Sequence, residues 1–187
     1  MKQFALLSIL TMLTGCFTGG TRVPVNWTLD VSGIKMPALA EPRAGSVRIS
    51  QLTVRTPYDV KQLSVLRPDG SIAFDPWNQF PAAPASMLKH VALDVMSASR
   101  AFKNVLPSTS SAKADASVEI SVERFALDCR GENSRKAAAE VTVRILRNRE
   151  LIKTVSGASS VPVEAGRYSD AFSEAFADAL LAAISQI

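Results

Sequence analysis

The last twenty residues carry the pattern that most restricts the fold of this chain. Between Tyr168 and Ile187, apolar residues recur at i, i+3 and i+4 spacing for five turns of helix. Such a helix has one apolar stripe, which is stable only when a neighbouring surface covers it. We therefore expect the C-terminal helix to cover a sheet, and truncation before Phe176 to unfold the domain.

Segments in which apolar and polar residues alternate predict the strands of that sheet. One covers residues 46 to 55, with a slip at Ser50-Gln51, and a second covers Leu63 to Leu66. The turn signal Pro68-Asp69-Gly70 follows, so that Ile72 to Phe74 would be the returning strand of a hairpin.

Three later strands are expected to form an antiparallel meander. Residues 118–122 and 125–129 alternate in two different phases, which predicts a β-bulge near Arg124. Residues 139–145 and 151–155 supply the other two strands, with a polar connection before each.

An amphipathic helix is predicted between the two groups of strands. From Pro84 to Phe102 the apolar residues fall at helical spacing, and Pro84 suits a first turn because its missing amide donor costs nothing there. The order strands, helix, strands, helix is typical of an α+β fold. We expect a mainly antiparallel sheet with two amphipathic helices packed on one face, in a single domain over residues 23–187.

Composition supports a self-sufficient core and argues against several functions. The chain has 187 residues, of which 47% are hydrophobic, enough to fold without disulfides or metal. Two cysteines and one histidine cannot make a Cys/His metal cluster, so no metal and no cofactor are expected. A formal charge of +4 is too small to predict nucleic-acid binding. Cys129 is expected to be a small buried hydrophobe on a strand.

The first fifteen residues are interpreted as a signal peptide, because Lys2 precedes an apolar run that is too short to span a bilayer. Leu13-Thr14-Gly15-Cys16 resembles the lipobox of bacterial lipoproteins, which makes Cys16 the first mature residue and the site of a covalent lipid. Residues 16–22 would be the lipidated N-terminus and linker; the six residues after Cys16 reach about 20 Å. By analogy with enterobacterial sorting, Phe17 favours the periplasmic face of the outer membrane over the inner membrane.

No arrangement typical of an active site is found, and we predict that the protein is not an enzyme. Ser86 and Lys89 have the S-x-x-K spacing of penicillin-recognising hydrolases, but the other two motifs of those enzymes are missing. His90 lies just off the apolar stripe and has no partner residues for acid–base work. Four basic residues lie near one another in the sequence: Arg144, Arg147, Arg149 and Lys153. We interpret them as solvated residues of strands and a turn, rather than as a patch that binds anionic lipid or an acidic partner.

Several motifs, in order along the chain, resemble the ABC-type transport auxiliary lipoproteins, the family of paraquat-inducible protein C. A Trp-centred, proline-rich stretch, residues 74–84, leads into a helix; residues 97–105 are similar to that family's helix end, and residues 114–120 and 122–125 to its strands. One departure is at residues 26–30, where the family often has a Tyr-x-Leu strand.

This resemblance implies a non-catalytic accessory subunit of a trans-envelope lipid transport system. The implied partners are an MCE-domain protein and the subunits of an inner-membrane ABC transporter, and docking at the membrane favours a homo-oligomeric collar. Trp77 and Phe80 are candidates for the contact surface, against the alternative that Trp77 closes one end of the core. A second hypothesis is a structural or regulatory envelope lipoprotein that binds peptidoglycan or an outer-membrane assembly machine. A third is a hydrolase that uses Ser86 and Lys89.

Overall fold

The computed structural model describes residues 23–34, 44–131, 134–164 and 166–187. The predicted signal peptide, the lipobox and the linker lie outside these residues. Within the described residues, eight strands and two helices are formed. The strands are β1 (Val25–Asn26), β2 (Ala44–Val54), β3 (Gln62–Leu66), β4 (Ile72–Gln79), β5 (Phe102–Leu106), β6 (Ala116–Asp128), β7 (Lys136–Arg147) and β8 (Glu150–Pro162); the helices are α1 (Pro84–Ala98) and α2 (Tyr168–Ile184).

The predicted meander is confirmed in strands β6, β7 and β8, which pair antiparallel in that order. The register of β6 shifts between Val122 and Arg124, where the sequence predicts a bulge. Asn148 and Arg149 connect β7 to β8 with φ angles of 52° and 69°, the left-handed pair that a tight two-residue hairpin turn requires. Strand β8 continues to Pro162, seven residues beyond the predicted end at Val155.

The predicted hairpin of β3 and β4 is also confirmed, with Val65 opposite Ala73. Gly70 has a φ of 82°, a conformation that glycine adopts without strain. In the same turn, Asp69 accepts hydrogen bonds from the side chain and backbone of Ser71, which lower the pKa of its carboxyl. Strand β4 is longer than predicted and includes the Trp-centred stretch up to Gln79.

The sheet is mixed, because β6 has three neighbours. β7 lies along one edge of β6, whereas β2 and β3 both lie parallel to it along the other, β2 beside its first half and β3 beside its end. β5 then pairs parallel with β2, and β1 pairs parallel with β4. The antiparallel ladders contain most of the paired residues, as the sequence predicts.

Helix α1 is shorter than predicted: the residues predicted to form its last turn are not helical. It ends at Ala98, and Phe102 begins strand β5 instead. Arg100 has a φ of 54°, and Ser99 donates a hydrogen bond through Oγ to the carbonyl of Met96 at 2.8 Å, so the chain leaves the helix here. Phe102 is still buried, because β5 lies next to β2 beneath α1.

Helix α2 covers strands β7 and β8, and α1 covers β2 and β5, so that one face of the sheet carries both helices. The approach of α2 to β8 is close at Gly157. A Cβ at that position would lie 2.1 Å from the carbonyl oxygen of Ala179 and 2.7 Å from the nitrogen of Ala183. The buried residues of both helices and of the sheet form one continuous core. In the described part of the chain, no helix is long and apolar enough to cross a membrane.

Candidate functional site

Phe80, one of the two predicted contact residues, is a core residue, and its assignment to a contact surface is therefore wrong. Its side chain is 3% exposed. The ring packs on Phe125 and Phe172, with centroid distances of 5.6 and 5.7 Å, and the latter two rings are 5.0 Å apart. The cluster joins β4 to the long strand β6 and to helix α2.

Trp77, the other predicted contact residue, lies at the surface on β4 with 39% of its area exposed. The backbone around it is shaped by Asp75, whose Oδ1 accepts hydrogen bonds from the backbone nitrogens of Trp77 and Asn78 at 2.8 and 3.1 Å. This turn replaces regular pairing, because the β3–β4 register shifts between Gln62 and Leu63. Trp77 therefore lies where the regular pairing of β4 with β3 is interrupted.

The exposed apolar residues of the described chain are concentrated around Trp77. Six large apolar side chains are substantially exposed, and four of them belong to β1, β4 or the residues beside them: Val23 (76%), Val25 (47%), Phe74 (47%) and Trp77 (39%). The two strands are neighbours, because Val25 is paired with Asn78. We call these four residues the β1–β4 edge. A group of exposed apolar residues on neighbouring strands is a candidate interaction surface.

The backbone of β4 is also accessible at this edge. Strand β1 pairs only with residues 78 and 79, so residues 72–75, which pair with β3 on one side, have no second neighbouring strand within the described chain. An unpaired strand edge can accept an extended segment of another chain. The β1–β4 edge therefore presents apolar side chains next to the backbone hydrogen-bonding groups of residues 72–75.

The segment that leads from residue 23 into the fold is fixed to this edge by Trp27. Its backbone nitrogen donates to the carbonyl of Gln79 at 2.8 Å, and its indole Nε1 donates to Oδ1 of Asn78 at 3.0 Å. The Trp27 ring also packs on Tyr168 of α2, with centroids 5.2 Å apart. Trp27 thus ties the N-terminal side of the domain to both β4 and α2.

The residues considered for hydrolysis lie on α1. Ser86 and Lys89 are both exposed, in the first two turns of the helix, and His90 follows them on the surface. The first turn of α1 is capped by a residue of a distant loop: the backbone nitrogen of Ala85 donates a hydrogen bond to Oδ1 of Asp59 at 2.8 Å. Within the described residues, no three potential metal ligands converge.

The basic residues near the β7–β8 turn do not act together. Arg144 donates to Ser121 Oγ at 3.2 Å, whereas Lys153 Nζ donates at 2.5 Å to the carbonyl of Gln186, two residues past the end of α2. Arg147 and Arg149 are exposed at the turn itself.

Cys129 is half-buried one residue past the end of β6, so its predicted place as a buried residue on a strand is wrong.

Comparison with known proteins identifies relatives of the fold. No family model matches the chain, and no curated protein sequence matches it. Among solved structures, it is similar to the protein XCC0632 from Xanthomonas campestris, assigned to the DUF330 family, with 16% identity, a TM-score of 0.60, and coverage of 88% of this chain and 90% of that one. It is also similar to an uncharacterised protein with 11% identity, a TM-score of 0.55, and coverage of 87% and 96%.

A third likeness is to PelC from Paraburkholderia phytofirmans, which was solved as a dodecamer, with 15% identity, a TM-score of 0.43, and coverage of 79% and 92%. At that TM-score the likeness says nothing about how the present chain assembles. The first two structures confirm the α+β fold of the domain.

Proposed function

We propose that this protein is a lipid-anchored envelope lipoprotein, acting as a non-catalytic accessory subunit of an ABC/MCE-type lipid transport system. In this proposal Cys16 carries the lipid, and the domain binds an MCE-domain partner at the periplasmic face of the outer membrane. The proposal rests on the lipobox, on the family resemblance of the motifs, and on the position of the β1–β4 edge.

The position of this edge is the observation that carries the proposal. The described fold begins at Val23, which belongs to the β1–β4 edge. Only six residues separate Cys16 from Val23, and a fully extended chain of that length spans about 20 Å. A lipid on Cys16 would therefore hold the exposed apolar edge close to the membrane surface, where the end of a partner that crosses the periplasm would arrive.

The attachment of the N-terminal segment fits the same function. Trp27 is bonded to β4 and packed against α2, so the tether would be joined to the rigid part of the domain near its start. A short tether joined to a rigid element restricts how far the domain can turn away from the membrane. That restriction favours a docking role over a freely diffusing one.

Site-specific photo-crosslinking in intact cells tests the proposal. A crosslinking residue is placed at Phe74 or at Trp77, and at Leu151 as a control, because Leu151 is an even more exposed apolar residue (58%) on β8, far from the β1–β4 edge. The proposal predicts adducts with an MCE-domain protein from positions 74 and 77 but not from 151.

Two outcomes would contradict this function. Adducts only with peptidoglycan-binding or outer-membrane assembly proteins would favour a structural or regulatory lipoprotein. Adducts of equal yield from all three positions would mean that the β1–β4 edge is not the docking surface.

A further inference from the structure

A cleft of about 390 Å³ lies on the helical side of the domain, away from the β1–β4 edge. It is enclosed by α1, by the bulge of β2 and by the loop that follows β5. Its lining comes from residues 49–52, from Lys89, His90 and Leu93 of α1, and from residues 107–109. The volume falls in the lower part of the range of small-molecule sites, roughly 300 to 1,000 Å³.

The bulge in β2 shapes the floor of the cleft. The pairing of β2 with β6 shifts between Ile49 and Gln51, and Ser50, the extra residue, donates through Oγ to the carbonyl of Val118 at 3.1 Å. Ile49 and Leu52, which are 6% and 4% exposed, close the bottom of the cleft, and the half-buried Leu93 of α1 adds apolar surface beside them. The floor is therefore apolar, and it is held in place by the ladder of the central strand.

The rim of the cleft differs from its floor in being polar and basic. Lys89 and His90 stand on one side and the hydroxyl residues Ser108 and Thr109 on the other. No acidic residue lines the cleft itself, and His90 also borders a neighbouring depression that includes Asp30 and Asp94. Four other depressions on the described surface each include carboxylates, from Glu123 and Glu140, from Asp30 and Asp94, or from Glu164, Asp170 and Glu174.

We propose that this cleft binds a single alkyl chain that carries an anionic head group, with the chain on the floor of Ile49, Leu52 and Leu93 and the head group beside Lys89 and His90. The apolar floor accounts for the alkyl chain, because binding is favoured in proportion to the apolar area of the chain that is removed from water. The ammonium and the hydroxyl and imidazole donors account for the head group, because they hydrogen-bond carboxylate and phosphate oxygens. This inference goes beyond the proposed function and does not depend on it.

Isothermal titration calorimetry with the mature chain carrying Cys16→Ala tests the proposal, since this variant needs no detergent. Three probes share one alkyl chain and differ in the head group: dodecanoate, dodecyl phosphate and the neutral dodecyl maltoside, each kept below its micelle concentration. The anionic probes are expected to bind, and the neutral one to bind at least several-fold more weakly. The ratio of the two anionic affinities shows whether a carboxylate or a phosphate is preferred.

Two variants with matched controls locate the site. Lys89→Glu is expected to weaken dodecanoate binding by roughly fivefold to tenfold, as for reversal of a partly exposed ion pair. Arg147→Glu changes the net charge equally at the exposed β7–β8 turn and should leave the affinity within about twofold. Thr109→Trp fills the mouth of the cleft without a change of charge and should weaken all probes that bind.

The proposal is overturned if none of the three probes binds to the folded protein, or if dodecyl maltoside binds as tightly as dodecanoate. It is also overturned if Lys89→Glu and Arg147→Glu weaken binding equally, because the effect would then come from net charge alone. Since no partner protein is present in these titrations, none of the results depends on the transport hypothesis.

Discussion

A side chain added at Gly157 tests how closely helix α2 packs on strand β8. In Gly157→Ala the new methyl carbon would lie 2.1 Å from the Ala179 carbonyl oxygen and 2.7 Å from the Ala183 nitrogen. Both atoms belong to the backbone of α2, so they cannot turn aside as a side chain would. Restoring ordinary contact requires a shift of the helix by about 1 Å, and such overpacking typically costs about 1 to 3 kcal/mol.

A destabilisation of about 2 kcal/mol corresponds to a decrease in Tm of roughly 4 to 8 °C for a domain of this size. Thermal and urea unfolding of the Cys16→Ala chain, followed by circular dichroism, would measure it. Gly33→Ala is the matched control, because an added Cβ there meets nothing within 4 Å. The two substitutions restrict the unfolded chain alike, so their difference isolates the contact. Equal stability of the two variants would refute the packing described here.

Three further predictions concern capping, the core and pH. Asp59→Ala is expected to lower the free energy of unfolding by about 1 kcal/mol, because the first turn of α1 loses its cap; urea unfolding measures this. Phe80→Ala should cost about 3 to 5 kcal/mol, whereas Phe74→Ala, at a half-exposed position, should cost about 1 kcal/mol; similar costs would contradict the core assignment of Phe80. Hydrogen bonds from Arg130 hold the pKa of the Asp128 carboxyl below its usual 3.8, so the ionised group contributes stability above that pH, and the contribution is lost as the pH falls through the lowered pKa. The destabilisation by Asp128→Asn, from urea midpoints, should therefore be largest near neutral pH and shrink below pH 3.8; a penalty independent of pH would contradict this cause.

Local signals predicted much of the fold. The Pro68-Asp69-Gly70 turn, the phase shift near Arg124 and the slip at Ser50-Gln51 each reflect a few neighbouring residues, and each corresponds to a turn or bulge in the structure. The C-terminal helix was predictable for the same reason, since five turns of one apolar stripe leave little choice of conformation.

The features that sequence reasoning missed depend on contacts between distant residues. Periodicity continues through Phe102, and the helix stops at Ser99 and Arg100 without a glycine or proline to mark the end. Strands β2 and β3 lie parallel to β6 although long connections separate them from it in the sequence. The alternation of apolar and polar residues within a strand does not indicate which distant strand it pairs with. Phe80 follows an exposed Trp-centred stretch, and only its packing on Phe125 identifies it as a core residue.

The candidate sites were predicted in part. Trp77 lies on the exposed β1–β4 edge, but the participation of Val23 and Val25 depends on the parallel pairing of β1 with β4. The cleft beside α1 combines residues 49–52, the helix residues Lys89, His90 and Leu93, and residues 107–109, which are brought together only by the tertiary fold. The sequence pattern places no catalytic partner near Lys89 or His90. Only the tertiary structure shows that both lie at the rim of an apolar cleft, where we propose that they bind an anionic head group.

The most direct test of the proposed function is a crosslinked purification of the native protein from membranes, with partners identified by mass spectrometry. Wild type is compared with Cys16→Ala, which keeps the folded domain but removes the site of the lipid. The proposal predicts recovery of an MCE-domain protein together with ABC transporter subunits, and a decrease of both when Cys16 is replaced. Recovery of only cell-wall or outer-membrane assembly proteins, or partners unchanged by Cys16→Ala, would contradict it.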